Sequence, residues 1–148
     1  MKLSSVTLLA VLALLAAPVS SAEDIGQVKV ISGAVHIQRG EERLPAEVGT
    51  RVQVSDTVVT GKDGSVGITF SDNTLLSAGP DSVLVLERYA FNSTTHEGKF
   101  DARLNRGSLA VVSGKIAKQS PDAMVVKTPS SMLGVRGTEF LVKVEGTE

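Results

Sequence analysis

The chain has 148 residues, carries 15 basic against 16 acidic side chains and contains no cysteine. The missing cysteine excludes a disulfide framework and a lipid-modified cysteine anchor. A net charge of −1, with basic residues scattered singly among acids, leaves no basic surface to displace counterions from phosphates, so nucleic acid is not an expected partner.

The chain opens with MKLSSVTLLAVLALLAAPVSSAED: Lys2 as a basic start, an apolar stretch from Val6 to Ala17, the helix breaker Pro18, and small residues at Ser20 and Ala22. This pattern reads as a secretory signal peptide over residues 1–22, cleaved before Glu23. The apolar stretch is shorter than the roughly 20 residues a bilayer span needs, and no later stretch is long enough to cross. The expectation is a bacterial protein, periplasmic or secreted, with no transmembrane segment after cleavage. Losing Lys2 leaves 14 basic against 16 acidic residues, a mature net charge of −2. Residues 23–148 are one domain's worth of chain.

From there on the chain has one texture. GQVKVISGAVHIQRG, TRVQVSDTVVTG, GSVGITF, DSVLVLERYAF, GSLAVVSGK, AMVVKT and TEFLVKV are short β-branched runs separated by glycine, proline, asparagine and aspartate. In SVGITF, Val66, Ile68 and Phe70 share one face; in EFLVKVE, Phe140, Val142 and Val144 lie opposite Leu141, Lys143 and Glu145. Both predict half-buried strands. VLVL, Val83 to Leu86, is apolar on both faces and predicts a strand covered on two sides. The fold class expected is all-β: a two-layer β-sandwich or a flattened β-solenoid of short, mainly antiparallel strands.

Turn residues refine this picture. TGKDG, Thr60 to Gly64, and SDNT, Ser71 to Thr74, both read as hairpin connections, with glycine, Asp72 and Asn73 tolerating positive φ. NSTTHEGK, between Phe91 and Phe100, reads as the tip of a longer hairpin with legs LERYAF and FDARL, and is the projecting feature expected of the fold.

Residues able to carry chemistry are few. His36 falls on the polar face of a predicted strand and His96 in the hairpin tip, and neither spacing supplies a metal site. DGSVG lacks the first glycine of a nucleophile elbow, and GSLAVVSGKI lacks the spacing of a phosphate loop. Asp63, Asp72 and Asp81 sit in turn contexts rather than in a calcium loop. No catalytic residue, metal or cofactor is therefore expected. Of the five aromatic residues, Phe70 and Phe140 fall on apolar faces. Tyr89, Phe91 and Phe100, with His96, cluster at the long hairpin and form a candidate interaction site. Those rings could make a glycan platform, or pack across the hairpin's own legs.

The succession VISGAVHIQRG, VGTRVQVSDTVVTGKDGSVGITFSDNTLLSAGPDSVLVL, LNRGSLAVVSGK and KTPSSMLGVRGTEFLV resembles the FecR domain family. The most specific element is the last: Thr128 and Pro129, then Val135, Arg136, Gly137, Thr138, Glu139 and Phe140. The resemblance implies an all-β extracytoplasmic domain that acts by binding an envelope protein. In transmembrane anti-sigma members such a domain follows a cytoplasmic segment and an uncleaved span; here the hydrophobic stretch looks cleavable, so a stand-alone exported member is the expectation. The function read from this is a non-enzymatic periplasmic interaction or sensing module, with a cell-envelope glycan-binding domain as the alternative.

Arg136 lies between Val135 and Gly137, and a covered guanidinium has to be paired because it does not deprotonate. Asp56, Asp72 and Glu139 are its candidate partners, and the residue is read as a structural clamp. The strand from Glu139 to Glu145 is expected to have its free edge completed by Gln27–Ser32, by strand addition from a partner, or by a second copy.

Overall fold

The computed structural model describes residues 22–135 and 139–145. Its elements are the strands β1 (Asp24–Ser32), β2 (Val35–Arg39), β3 (Glu42–Pro45), β4 (Arg51–Gln53), β5 (Thr57–Thr60), β6 (Ser65–Phe70), β7 (Leu75–Ala78), β8 (Val83–Phe91) and β9 (Gly98–Val112), the short helix α1 (Lys115–Gln119), and β10 (Met124–Lys127), β11 (Met132–Gly134) and β12 (Glu139–Val144). The alternation of apolar residues is what forms these strands. In β6, Val66, Ile68 and Phe70 are buried while the intervening residues face outward, as period 2 requires.

The strands join in one curled, mainly antiparallel sheet, a half-barrel, in the order β3-β2-β5-β8-β9-β7-β6-β1-β4, with β10 and β12 also pairing β9. The all-β reading holds, and the two layers are halves of one sheet. The strand that joins them is β9: residues 98–106 pair with β8, and residues 109–112 with β7. At the changeover Gly107 has φ of 95°, and a side-chain carbon there would run into the backbone and side chain of Ser82. Only glycine suits that position. One exception to antiparallel pairing is β10, which lies parallel to β9 with Met124 beside Phe100.

Between the halves lies a single core, in which Val28, Ile37, Ile68, Leu76, Leu84 and Leu109 are all buried. Each such side chain contributes about 1.5–3 kcal/mol as an upper estimate. Phe100 sits at its aromatic centre, 4.7 Å from Phe70 and 4.9 Å from Tyr89, both in edge-to-face geometry.

Two local expectations are corrected. TGKDG is no hairpin: β5 pairs β2 and β8, whereas β6 pairs β1 and β7, so the segment carries the chain from one half to the other. Its glycines serve close packing against the neighbouring β1–β2 crossing. Gly61 donates to the Ala34 carbonyl at 2.8 Å, and a side chain at Gly64 would strike that same carbonyl. The VLVL run is covered on one face only, with Leu84 and Leu86 buried and Val83 and Val85 half-buried outside. By contrast SDNT does form the β6–β7 hairpin, with Asn73 at φ of 70°. The expectation that Gln27–Ser32 completes the edge of β12 is also overturned. That segment, in β1, pairs β4 and β6, and β12 pairs β9.

Candidate functional site

The long hairpin is built by β8 and β9, with residues 92–97 at its tip. Tyr89 and Phe100 are directly opposite in the ladder, and both turn inward: Phe100 is 0% exposed and Tyr89 half-buried. They belong to the core and not to an outward-facing platform. The Tyr89 hydroxyl accepts from the Asp72 amide at 2.9 Å and donates to the Asp72 carboxylate at 3.0 Å. Burial, and then the negative charge of Asp72, pushes the Tyr89 hydroxyl above its ordinary range. Only Phe91 and His96 remain at the tip, half-buried and stacked with centroids 6.1 Å apart. His36, on β2, is held below the ordinary histidine value by burial and by Arg43. Among the described residues, no three His, Asp or Glu side chains gather in a way that could hold a metal ion.

The segment Lys127–Phe140 carries the most specific motif, and much of it is placed. Thr128 donates its amide to Ser131 at 2.8 Å and closes a tight turn over Pro129 and Ser130 between β10 and β11. Val135 is buried and donates to the Met124 carbonyl at 3.0 Å. Phe140 leans on the core from β12, and Glu139 is exposed. Arg136, Gly137 and Thr138 lie outside the described residues. Two of the carboxylates considered for Arg136 are engaged elsewhere. Asp56, 0% exposed, takes both Nε and Nη2 of Arg39, at 2.9 and 2.8 Å, and the Gln53 amide at 2.8 Å. Asp72, equally buried, accepts from the Thr74 hydroxyl and amide, the Ile116 amide and Tyr89.

Beside the motif turn opens a groove of about 670 Å³. It is lined by the β10–β11 turn, Thr128 to Ser131 with Leu133, by the end of β12, Val142 to Glu145, and by Val83, Asn105 and Arg106. It exists because β9 changes partners here, leaving β10 and β12 beside different stretches of the same strand. Hydroxyls and an amide line it alongside Val83, Leu133 and Val142. Neither Arg106 nor Lys143 makes an ion pair among the described residues. The outer face of β8–β9–β10 behaves differently. There Glu87 accepts from Arg103 at 2.6 Å and from Lys127 at 3.0 Å, which holds its carboxyl below the usual carboxylate value.

A family model described as FecR protein matches residues 56–148. The chain belongs to the FecR family. The FecR match starts at the buried Asp56 and takes in β5 to β12, including every residue that lines the groove. Strands β1 to β4 precede the matched stretch and yet pair within the same sheet. No curated protein and no solved structure matches the chain. FecR domains are associated with envelope signalling, interact with envelope proteins, and form a non-enzymatic family that is usually periplasmic or membrane-associated. No helix among the described residues is long and apolar enough to cross a membrane.

Of the groove's lining, the motif read from the sequence supplied Thr128 and Pro129, but not Val142 to Glu145 at the end of β12, nor Asn105, Arg106, Ser130 and Ser131. Those last four lie within the stretches LNRGSLAVVSGK and KTPSSMLGVRGTEFLV, but nothing in their local pattern singles them out. They become neighbours of β12 only because β9 changes partners between residues 106 and 107.

Proposed function

We propose that this FecR protein is a non-enzymatic periplasmic interaction or sensing module, exported by way of residues 1–22, and that the groove beside the β10–β11 turn receives an envelope protein. The observation that carries the reading is the groove itself. It combines apolar lining from Val83, Leu133 and Val142, hydroxyls at Thr128, Ser130 and Ser131, and two cations, Arg106 and Lys143, that make no ion pair among the described residues. Such a surface suits an extended polypeptide bearing an acidic side chain, since each cation offers charge-assisted hydrogen bonds. A glycan platform needs exposed rings, and Phe70, Tyr89 and Phe100 instead pack on one another inside.

The test is site-specific photocrosslinking in the cell envelope. A crosslinking residue at Ser130 should capture a discrete protein, while the same residue at Glu41, on the β2–β3 turn, should not. Capture should drop when Arg106 and Lys143 are both replaced by glutamate. Equal capture from the two positions, or capture indifferent to the charge reversal, overturns the groove as the docking site.

A further inference from the structure

A sheet has edges, and an edge exposes unpaired backbone donors and acceptors. Four strands here pair on one side only among the described residues: β3, β4, β11 and β12. Three of them are protected. β4 and β11 are three residues long, and β3 carries Glu42, Arg43 and Pro45. β12 is six residues long, contains no proline, and presents Leu141 at 73% exposure.

Its outward side chains read Glu139, Leu141, Lys143. Neither charge is engaged in an ion pair among the described residues. We propose that β12 pairs antiparallel with β12 of a second copy of this chain, in the register centred on Leu141.

The register follows from side-chain direction. A twofold axis perpendicular to the joined sheet keeps outward residues opposite outward residues, so pairing is centred on a residue rather than between two. Two such registers overlap five of the six strand residues, one centred on Leu141 and one on Val142. The Val142 register sets Glu139 against the second copy's Glu145 and Leu141 against its Lys143, a repulsion and a mismatch. The Leu141 register sets Glu139 against the second copy's Lys143, twice by symmetry, and Leu141 against its own equivalent. Opposite charges and apolar pairs directly across a ladder are favourable, and like charges are not.

The rest of this half-sheet continues the pattern. Leu141 pairs Ala110, Ala110 pairs Ser77, Ser77 pairs Gly67, and Gly67 pairs Val30. This outer row of small or apolar residues carries no charge, and the Leu141 register extends it unbroken across the axis. The other half-sheet breaks its outer face with the Glu87–Arg103–Lys127 ion pairs. A single strand pair falls below the roughly 1,200 Å² of a standard interface, so the dimer is weak and concentration-dependent.

Sedimentation velocity on the purified protein, from about 1 μM to about 1 mM, should show a monomer–dimer shift. Glu139→Lys alone and Lys143→Glu alone each turn two attractive pairs into two repulsive ones and should weaken association about tenfold or more. The double variant restores opposite signs and should recover the wild-type constant. Because the chain has no cysteine, Leu141→Cys introduces a lone thiol, and two such thiols facing across the axis lie within disulfide reach. Mild oxidation should link Leu141→Cys far faster than Leu75→Cys, whose residue is also exposed but lies on β7. A monomer throughout, a double variant as weak as the singles, or equal oxidation of the two cysteine variants overturns the proposal. The two readings share Lys143 but separate in their outcomes: a monomer that still crosslinks at Ser130 would refute this dimer and leave the groove intact.

Discussion

Replacing Tyr89 by phenylalanine removes one oxygen atom and keeps the ring contacts to Phe70 and Phe100 at 5.8 and 4.9 Å. That oxygen makes two hydrogen bonds to one residue, accepting from the Asp72 amide and donating to its carboxylate. A neutral hydrogen bond contributes about 1 kcal/mol and one to a charged group about 1.5–3 kcal/mol, so Tyr89→Phe should cost about 3 kcal/mol at pH 7. The carboxylate keeps Thr74 and Ile116 as donors, which holds the loss near that figure. The pH dependence supplies a second readout. The Tyr89 hydroxyl is raised above its ordinary value by burial and by Asp72, so the unfolded chain ionises first. Its contribution is complete below about pH 10 and then falls by about 1.4 kcal/mol per pH unit until the folded value is reached. Urea unfolding followed by circular dichroism, at pH 7 and at steps above pH 10, should therefore show the two proteins converging in stability as pH rises. A difference under about 1 kcal/mol at pH 7, or a gap that stays constant above pH 10, would refute the argument.

Two further substitutions probe the frame around the groove. Gly107→Ala sets a side-chain carbon against Ser82 at a positive φ, and should destabilise by at least about 2 kcal/mol in the same assay; a neutral outcome would mean that β9 does not change partners there. Arg39→Ala strands the fully buried Asp56 with the Gln53 amide as its remaining donor, and should cost about 3 kcal/mol, at the low end for a broken buried pair because Arg39 is one-third exposed. A loss below about 1 kcal/mol would show that water replaces the guanidinium.

Several features of this FecR protein were legible in its residues alone, because they depend on neighbours along the chain. The alternation in β6 and β12 fixed which side chains face the core, and Asp72 and Asn73 fixed the β6–β7 turn. The order of the glycine and motif elements pointed to the family that residues 56–148 match. Alternation, however, says which face of a strand is apolar and nothing about which strand lies beside it. TGKDG has the composition of a hairpin, yet it crosses between halves because β5 and β6 find different partners. VLVL is apolar on both sides, yet the curl of the sheet covers only one. Tyr89 and Phe100 sit near a polar loop in sequence, and what turns them inward is Phe70 in another strand and the buried Asp72. Asp56 meets Arg39 from 17 positions away, and Asp72 meets the Ile116 amide from 44 positions away. The groove has the same origin: Arg106, Ser130 and Lys143 converge because one strand, β9, is shared by both halves and turns at Gly107, a long-range arrangement that no local period encodes.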